Sequence, residues 1–204
     1  MEEKKGINPN DLSFEQIMDY SHRVLINNLG AEDARQFLEQ NFTRKDIVSR
    51  FQLGYIPENV DYKFSDRLIF PVRNINGKCV AVVGRKMHRD NSAIYLIDKN
   101  AEFLYGIFEA AESIKKTGTV FLCEKPLDVL NHYCSGETNC CALISPSITE
   151  THIEALKSLS CKKVVCVFDN DDYGKRKTIE TITILKNNSL EAFDGCNRGF
   201  VNNQ

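Results

Sequence analysis

Long apolar runs are missing from this 204-residue chain, and so is any large excess of one charge. No stretch approaches the roughly 18 apolar residues that a membrane span requires, so no membrane partner is expected. The opening MEEKKGINPNDLSFEQ has no apolar core of the kind a secretory signal carries, and a cytoplasmic protein is expected. A formal net charge of -2 does not by itself mark a nucleic-acid binder. The eight cysteines include no C-x-x-C pair, and the four histidines do not sit near paired cysteines. That excludes the usual zinc spacings, so no zinc is expected. In a cytosolic chain such cysteines are expected to be small buried hydrophobes. The length fits one domain of ordinary size, or a core with a small satellite.

What the chain does have changes period along its length. Residues 1–62 read as an N-terminal helical segment. Phe14, Ile17, Met18, Ser21, Val24, Leu25 and Asn28 recur at helical spacing, mostly apolar, and Gly30 can close the helix. AEDARQFLEQN is a second short helix. Thr43 is expected to cap a third, with Asp46 three residues on, and Gly54 and Pro57 to end it. Residues 63–100 then carry two β-rich runs around Asn76-Gly77, a strong hairpin signal. Lys63 to Asp90 holds seven Lys/Arg against two Asp, a local balance of +5. Arg67, Arg73 and Arg85 lie beside or within the apolar runs, with Lys86 next to the last. Basic groups in that position are expected to face phosphate rather than serve only solubility. From 101 to 188 strands and helices alternate as βαβαβα, which predicts a parallel sheet covered by helices. Residues 189–204 have no clear period and are expected to form an irregular tail.

In sheets of this kind ligands bind beyond the carboxyl ends of the strands. TVFLC runs into Glu124 and VVCVF into Asp169, so neighbouring strands would bring both to one rim. Asp169 and Asp171 are two apart and can aim together in extended backbone. Three like charges on one rim call for a positive partner, and three carboxylates form a hard-oxygen site suited to Mg2+ or Mn2+. Asp171 or Asp172 could instead cap the following helix. Asp169, Asp171, Gly174 and Glu180 also match an EF-hand's positions 1, 3, 6 and 12, but Tyr173 is a poor fifth position and a β-run precedes them. Lys175, Arg176 and Lys177, just past Gly174 at a helix start, can hold phosphate oxygens.

FLCEKPLDVL and VFDNDDYGKR resemble the two signature motifs of the TOPRIM fold, which serves DnaG-type primases, type IA and type II topoisomerases and some nucleases. Glu124, Asp169 and Asp171 match its strand-end glutamate and D-x-D dyad, and Asp128 matches an aspartate that primases carry four residues on. Upstream, FQLGYIP, RLIFPVRNINGKCVAVVGRKM and LYGIFEA resemble, in order, the basic subdomain that distinguishes DnaG-type cores. The resemblance spans roughly residues 20 to 188. It implies an α/β protein: a TOPRIM-type parallel sheet flanked by helices, after a small basic α+β subdomain with a β-hairpin. It implies Mg2+-dependent RNA primer synthesis on single-stranded DNA from nucleoside triphosphates. Glu124, Asp169 and Asp171 would be the metal and catalytic set, and Asp128 and Asp172 additional acids. Arg67, Arg73, Arg85, Lys86, Lys175 and Arg176 would hold template or nucleotide. A metal-dependent nuclease and a non-catalytic nucleic-acid-binding accessory are the rival readings.

The chain also departs from the pattern. Lys125 stands where primases carry Gly, Ile94 and Ile97 replace a lysine and an asparagine, and ISPS replaces an LGTS-like turn. The family's later acidic pair is not recognisable, Asp194 being a poor candidate. No zinc module and no helicase-binding domain is recognisable. A compact or split core of phage or mobile-element type is therefore expected, working with a replicative helicase or a complementing primase subunit.

Overall fold

The computed structural model describes residues 12–27, 29–60, 63–87, 93–97 and 103–196. The chain forms two compact units, residues 1–72 with 78–99, and residues 73–77 with 100–204. The predicted Arg89 and Asp90 lie outside the described residues, as does Asn28.

The first unit opens with helix α1 (Phe14–Asn27), whose buried face is Ile17, Met18, Ser21, Val24 and Leu25. These five belong to the stripe read from the sequence, of which Phe14 is only half-buried. Ser13 and Gln16 bond each other's backbone N–H reciprocally at its start, a capping box that satisfies donors the first turn leaves over. Helix α2 (Glu32–Asn41) follows. The third helix, α3, is only Ile47–Arg50, and its cap position is Asp46, not Thr43. Arg44 grips both oxygens of Asp46, at 3.1 and 2.9 Å, so this carboxylate is drawn away from the backbone it was expected to cap. The chain then turns at Gln52, with φ 50°, into a strand, β1 (Gly54–Ile56). The third helix thus ends before Gly54, and a strand not read from the sequence follows it.

That sheet has the order β1-β2-β3-β4, with β2 Arg67–Arg73, β3 Cys79–Arg85 and β4 Ala93–Ile97. β2 and β3 flank the predicted Asn-Gly turn, where Gly77 takes φ 85° and its N–H donates to the Asn74 carbonyl at 2.8 Å. Ile17, Met18, Ile56, Phe64, Ile69, Cys79 and Val82 form one buried cluster.

The second unit is a five-stranded sheet of order β5-β7-β6-β8-β9. Its strands are β5 (Leu104–Tyr105), β6 (Thr119–Cys123), β7 (Cys140–Leu143), β8 (Lys163–Cys166) and β9 (Glu191–Asp194). β6 pairs in parallel with both β7 and β8, and β8 with β9; only the edge strand β5 runs antiparallel. Helices α4 (Ile107–Thr117), α5 (Pro126–Cys134), α6 (Glu150–Ser158) and α7 (Asp172–Asn187) connect them. Residues 191–194, expected in an irregular tail, are an edge strand. The core joins Ile114, Val120, Leu122, Leu143, Leu156, Val164 and Leu185. All eight cysteines are free thiols, six of them buried as expected; Cys134 is half-buried and Cys196 exposed. Among the described residues no helix is long and apolar enough to cross a membrane.

Candidate functional site

The adjacency of β6 and β8 decides where the acids meet. Leu122 is in register with Cys166, and the Val167 N–H continues the ladder to the Leu122 carbonyl at 2.8 Å. Glu124 follows β6 directly, and Asp169 follows β8 after the buried Phe168. Both therefore leave the sheet at its carboxyl edge, where the parallel strands of an open α/β sheet form ligand crevices.

Asp171 sits at the N-cap of α7, its Oδ1 accepting from the Gly174 N–H at 2.7 Å. The capping alternative is thus realised, by Asp171 rather than Asp172. A cap of this kind contributes about 1 kcal/mol. Gly174 is required by close approach: a Cβ there would stand 1.9 Å from the Asp169 carbonyl oxygen. Helix α7 can start so near the D-x-D turn only because that atom is absent. Asp128 is also a local cap, its Oδ2 accepting from the Lys125 N–H at 3.1 Å at the start of α5. Burial pushes its carboxyl up, opposed by that N–H. Asp172, Lys175 and Arg176 are exposed near the start of α7.

Two lysines that sequence reasoning did not place at the rim stand there. Lys125 Nζ is 2.5 Å from Asp169 Oδ2, across 44 residues of sequence. Lys177, only 8% exposed, points its ammonium at the Ser145 and Leu143 carbonyls, at 3.2 and 3.5 Å. It lies 5.2 Å from the Phe168 ring centroid, near enough for cation–π attraction. Burial pulls the Lys177 ammonium down, while Glu124 and Asp169 hold it up. Glu124 mirrors this: burial raises its carboxyl, Lys177 opposes the rise, and Asp169 adds to it. Glu124 Oε1 is buried with no hydrogen-bond partner. A fourth acid also reaches this edge. Asp194 closes β9 in register with Cys166, against the expectation that it lay in an irregular tail.

The donor chemistry of this rim fits a hard divalent ion: carboxylates only, with one buried oxygen unsatisfied. The arrangement is nevertheless open. Among the described residues no three His, Cys, Asp or Glu converge closely enough to hold a metal.

The basic residues divide. Arg73 is turned to Glu109, donating from Nε at 3.1 Å and Nη2 at 2.6 Å to the same oxygen. Its guanidinium lies 4.5 Å from the Phe108 ring centroid. Arg67 is buried in β2, with Arg85 and Lys86 half-buried, all in the first unit.

The family described as Toprim-like matches residues 121–194, which run from β6 through the D-x-D turn to the end of β9. A DNA primase of Lactococcus lactis subsp. lactis is 27% identical over 210 residues, covering 84% of this chain and 32% of that protein. The structure of a DnaG catalytic core superposes with TM-score 0.77 at 21% identity, over 89% of this chain and 71% of that one. A DnaG primase catalytic domain bound to ssDNA gives 0.75 at 21%, over 89% and 72%. The chain spans 32%, 36% and 43% of the length of three curated DNA primases it matches.

Proposed function

From a chain that carries a TOPRIM domain within the catalytic-core fold of DnaG-type primases, we propose a primase-like nucleotidyltransferase core. It would act on single-stranded DNA with nucleoside triphosphates. The observation that carries this is the placement of Glu124 and Asp169 on one carboxyl edge of adjacent parallel strands, with the Asp171-capped start of α7 beside them. A divalent ion held by Glu124, Asp169 and Asp171 would supply neutralisation of triphosphate charge and polarisation of the attacking hydroxyl. The chain's own groups do the rest. Lys175 and Arg176 stand exposed next to the first-turn backbone N–H groups of α7, where phosphate oxygens meet both fixed dipoles and mobile cations. The Lys177 charge opposes the rise that burial imposes on the Glu124 carboxyl. Arg85 and Lys86 in the first unit would track a template backbone, while Arg73 is turned to Glu109.

One observation favours a second reading, a nucleic-acid-binding accessory without catalysis: Asp169 already has its cation in Lys125. A primer-extension assay on single-stranded template with labelled ribonucleotides separates the two. The core reading expects Mg2+-dependent product, faint for this chain alone and raised by a partner from the same replication system. It expects that product to vanish in Glu124→Gln. Single-stranded DNA binding is expected in either case, weakening as salt rises. Product that persists in Glu124→Gln overturns the assignment of the rim. Template degradation without incorporation replaces it with the nuclease reading, and binding with no product under any partner leaves the accessory.

A further inference from the structure

Three acids entering one strand edge would repel one another without a counter-charge. In this fold the chain supplies that counter-charge itself. Lys125 contacts Asp169 at 2.5 Å, and Lys177, whose charge Glu124 feels, is held by two backbone carbonyls. The two lysines are not equivalent. Lys177 is buried and cannot leave without abandoning the Leu143 and Ser145 carbonyls. Lys125 and Asp169 have side chains 52% and 42% exposed, so their contact is weak, solvent-screened and easily broken. Lys125 is therefore a movable cation on the very oxygen a metal would use.

We propose that the Lys125 ammonium is a built-in counter-ion on Asp169 that must be displaced before a divalent cation binds there, and so sets the metal affinity of this rim. The proposal deepens the reading of the rim as a metal-binding centre and rests on it. It explains two observations together: the Lys125–Asp169 contact, and the absence among the described residues of any three His, Cys, Asp or Glu placed to hold a metal although Glu124 Oε1 lies buried and unsatisfied. With Asp169 drawn to Lys125 and Asp171 to the Gly174 N–H, each outer acid is held by its own partner. Moving Lys125 off Asp169 frees one of them at the cost of one exposed ion pair. The freed ammonium, one residue from Glu124, would then be available to an anionic ligand such as a triphosphate. Metal entry would thus be coupled to arrival of the anion.

The test is Mn2+ titration of the full 204-residue chain, read as free Mn2+ by electron paramagnetic resonance, with thermal melts as a folding control. Lys125→Met should bind on the order of five- to tenfold tighter than the wild type, from loss of the competing ion pair and of a like charge beside the ion. Lys125→Arg, which keeps a cation within reach of Asp169, should not gain. Lys162→Met, at the opposite end of β8 and exposed, removes the same net charge and should bind as the wild type does. The gain should vanish in Lys125→Met/Asp169→Asn. Equal or weaker binding by Lys125→Met overturns the proposal and leaves the metal reading standing. An equal gain in Lys162→Met overturns it too, since net charge alone would explain the effect. No binding by any of these proteins at millimolar Mn2+ overturns both.

Discussion

Arg73 is the residue on which the sequence pattern and the structure point to different jobs, and its replacement has a calculable consequence. Its two donors meet one oxygen of Glu109, with side chains 12% and 3% exposed. Removing the cation alone, as in Arg73→Met, leaves a carboxylate in an environment where ionised groups cannot stay unpaired. The expected cost is about 3–5 kcal/mol. That is a large share of the roughly 5–15 kcal/mol by which domains are stable, and corresponds to a melting-temperature drop on the order of 10 °C for a chain of this size. The paired replacement Arg73→Met/Glu109→Leu removes both charges and keeps apolar volume against Phe108. Such exchanges are close to neutral, so most of the loss should return, giving a coupling of roughly 2–4 kcal/mol. Urea unfolding of the wild type, both single variants and the double variant measures each corner of the cycle. A loss under about 1 kcal/mol in Arg73→Met, or a double variant as unstable as the sum of the singles, would rule out a buried, coupled Arg73–Glu109 pair. The same double variant tests the other job. If Arg73 held phosphate, the variant would bind single-stranded DNA more weakly, with a salt slope smaller by about one. If Arg73 only braces α4, affinity and slope stay as they were.

Two further outcomes follow from single atoms. Gly174→Ala places a Cβ 1.9 Å from the Asp169 carbonyl oxygen, a backbone atom with no rotamer to escape into. Alanine gains about 1 kcal/mol in helix propensity, but the overlap should outweigh that and lower stability by at least 1–3 kcal/mol net; a variant as stable as the wild type in urea would show that α7 does not need this approach. Tyr55, 6% exposed and donating to Asp66 at 3.3 Å, has its hydroxyl pushed up to about 12 by burial and by that carboxylate. Because the folded value lies above the unfolded one of about 10, the stability is whole below pH 10 and is lost as pH rises toward 12. The loss is roughly 2–3 kcal/mol for two units. Tyr55→Phe should lack this portion of the alkaline slope, and identical slopes in the two proteins between pH 9 and 11 would be inconsistent with it.

How much of this was legible in the sequence depended on the range over which each feature is decided. Most of the buried face of helix α1 was read because its stripe is local: Ile17, Met18, Ser21, Val24 and Leu25 repeat at helical spacing over more than two turns. The rim was legible for a similar reason. Glu124 and Asp169 each end an apolar run, and parallel pairing brings such ends together. The cap at Asp171 was visible as an alternative, since Asp171 to Gly174 is a three-residue relation. Short edge elements were not. β5 has two residues and β9 four, too few for alternation to rise above chance, although Leu190 and Ala192 are buried around an exposed Glu191. Missing β9 meant missing that Asp194 closes a strand on the rim's own edge.

The lysines failed for a different reason. Lys177 reads as one more charge in a basic run, Lys175-Arg176-Lys177, and nothing local says that only the third turns inward. Helical geometry does say it once α7 is fixed: Gly174, Lys177, Thr178 and Thr181 lie three and four apart, and all are buried. An ammonium on that stripe must end against carbonyls or carboxylates, and β7 and Ser145 supply the carbonyls. Lys125 is the converse case, exposed and local in no respect, its partner 44 residues away. The substitution of Lys for Gly at that position was visible in the sequence as a departure. Its meaning was not, because a charge pair across adjacent strand ends exists only when β6 and β8 are neighbours. Once they are, the positive charge that Glu124, Asp169 and Asp171 require comes first from the chain, and a metal would compete with it rather than fill an empty place.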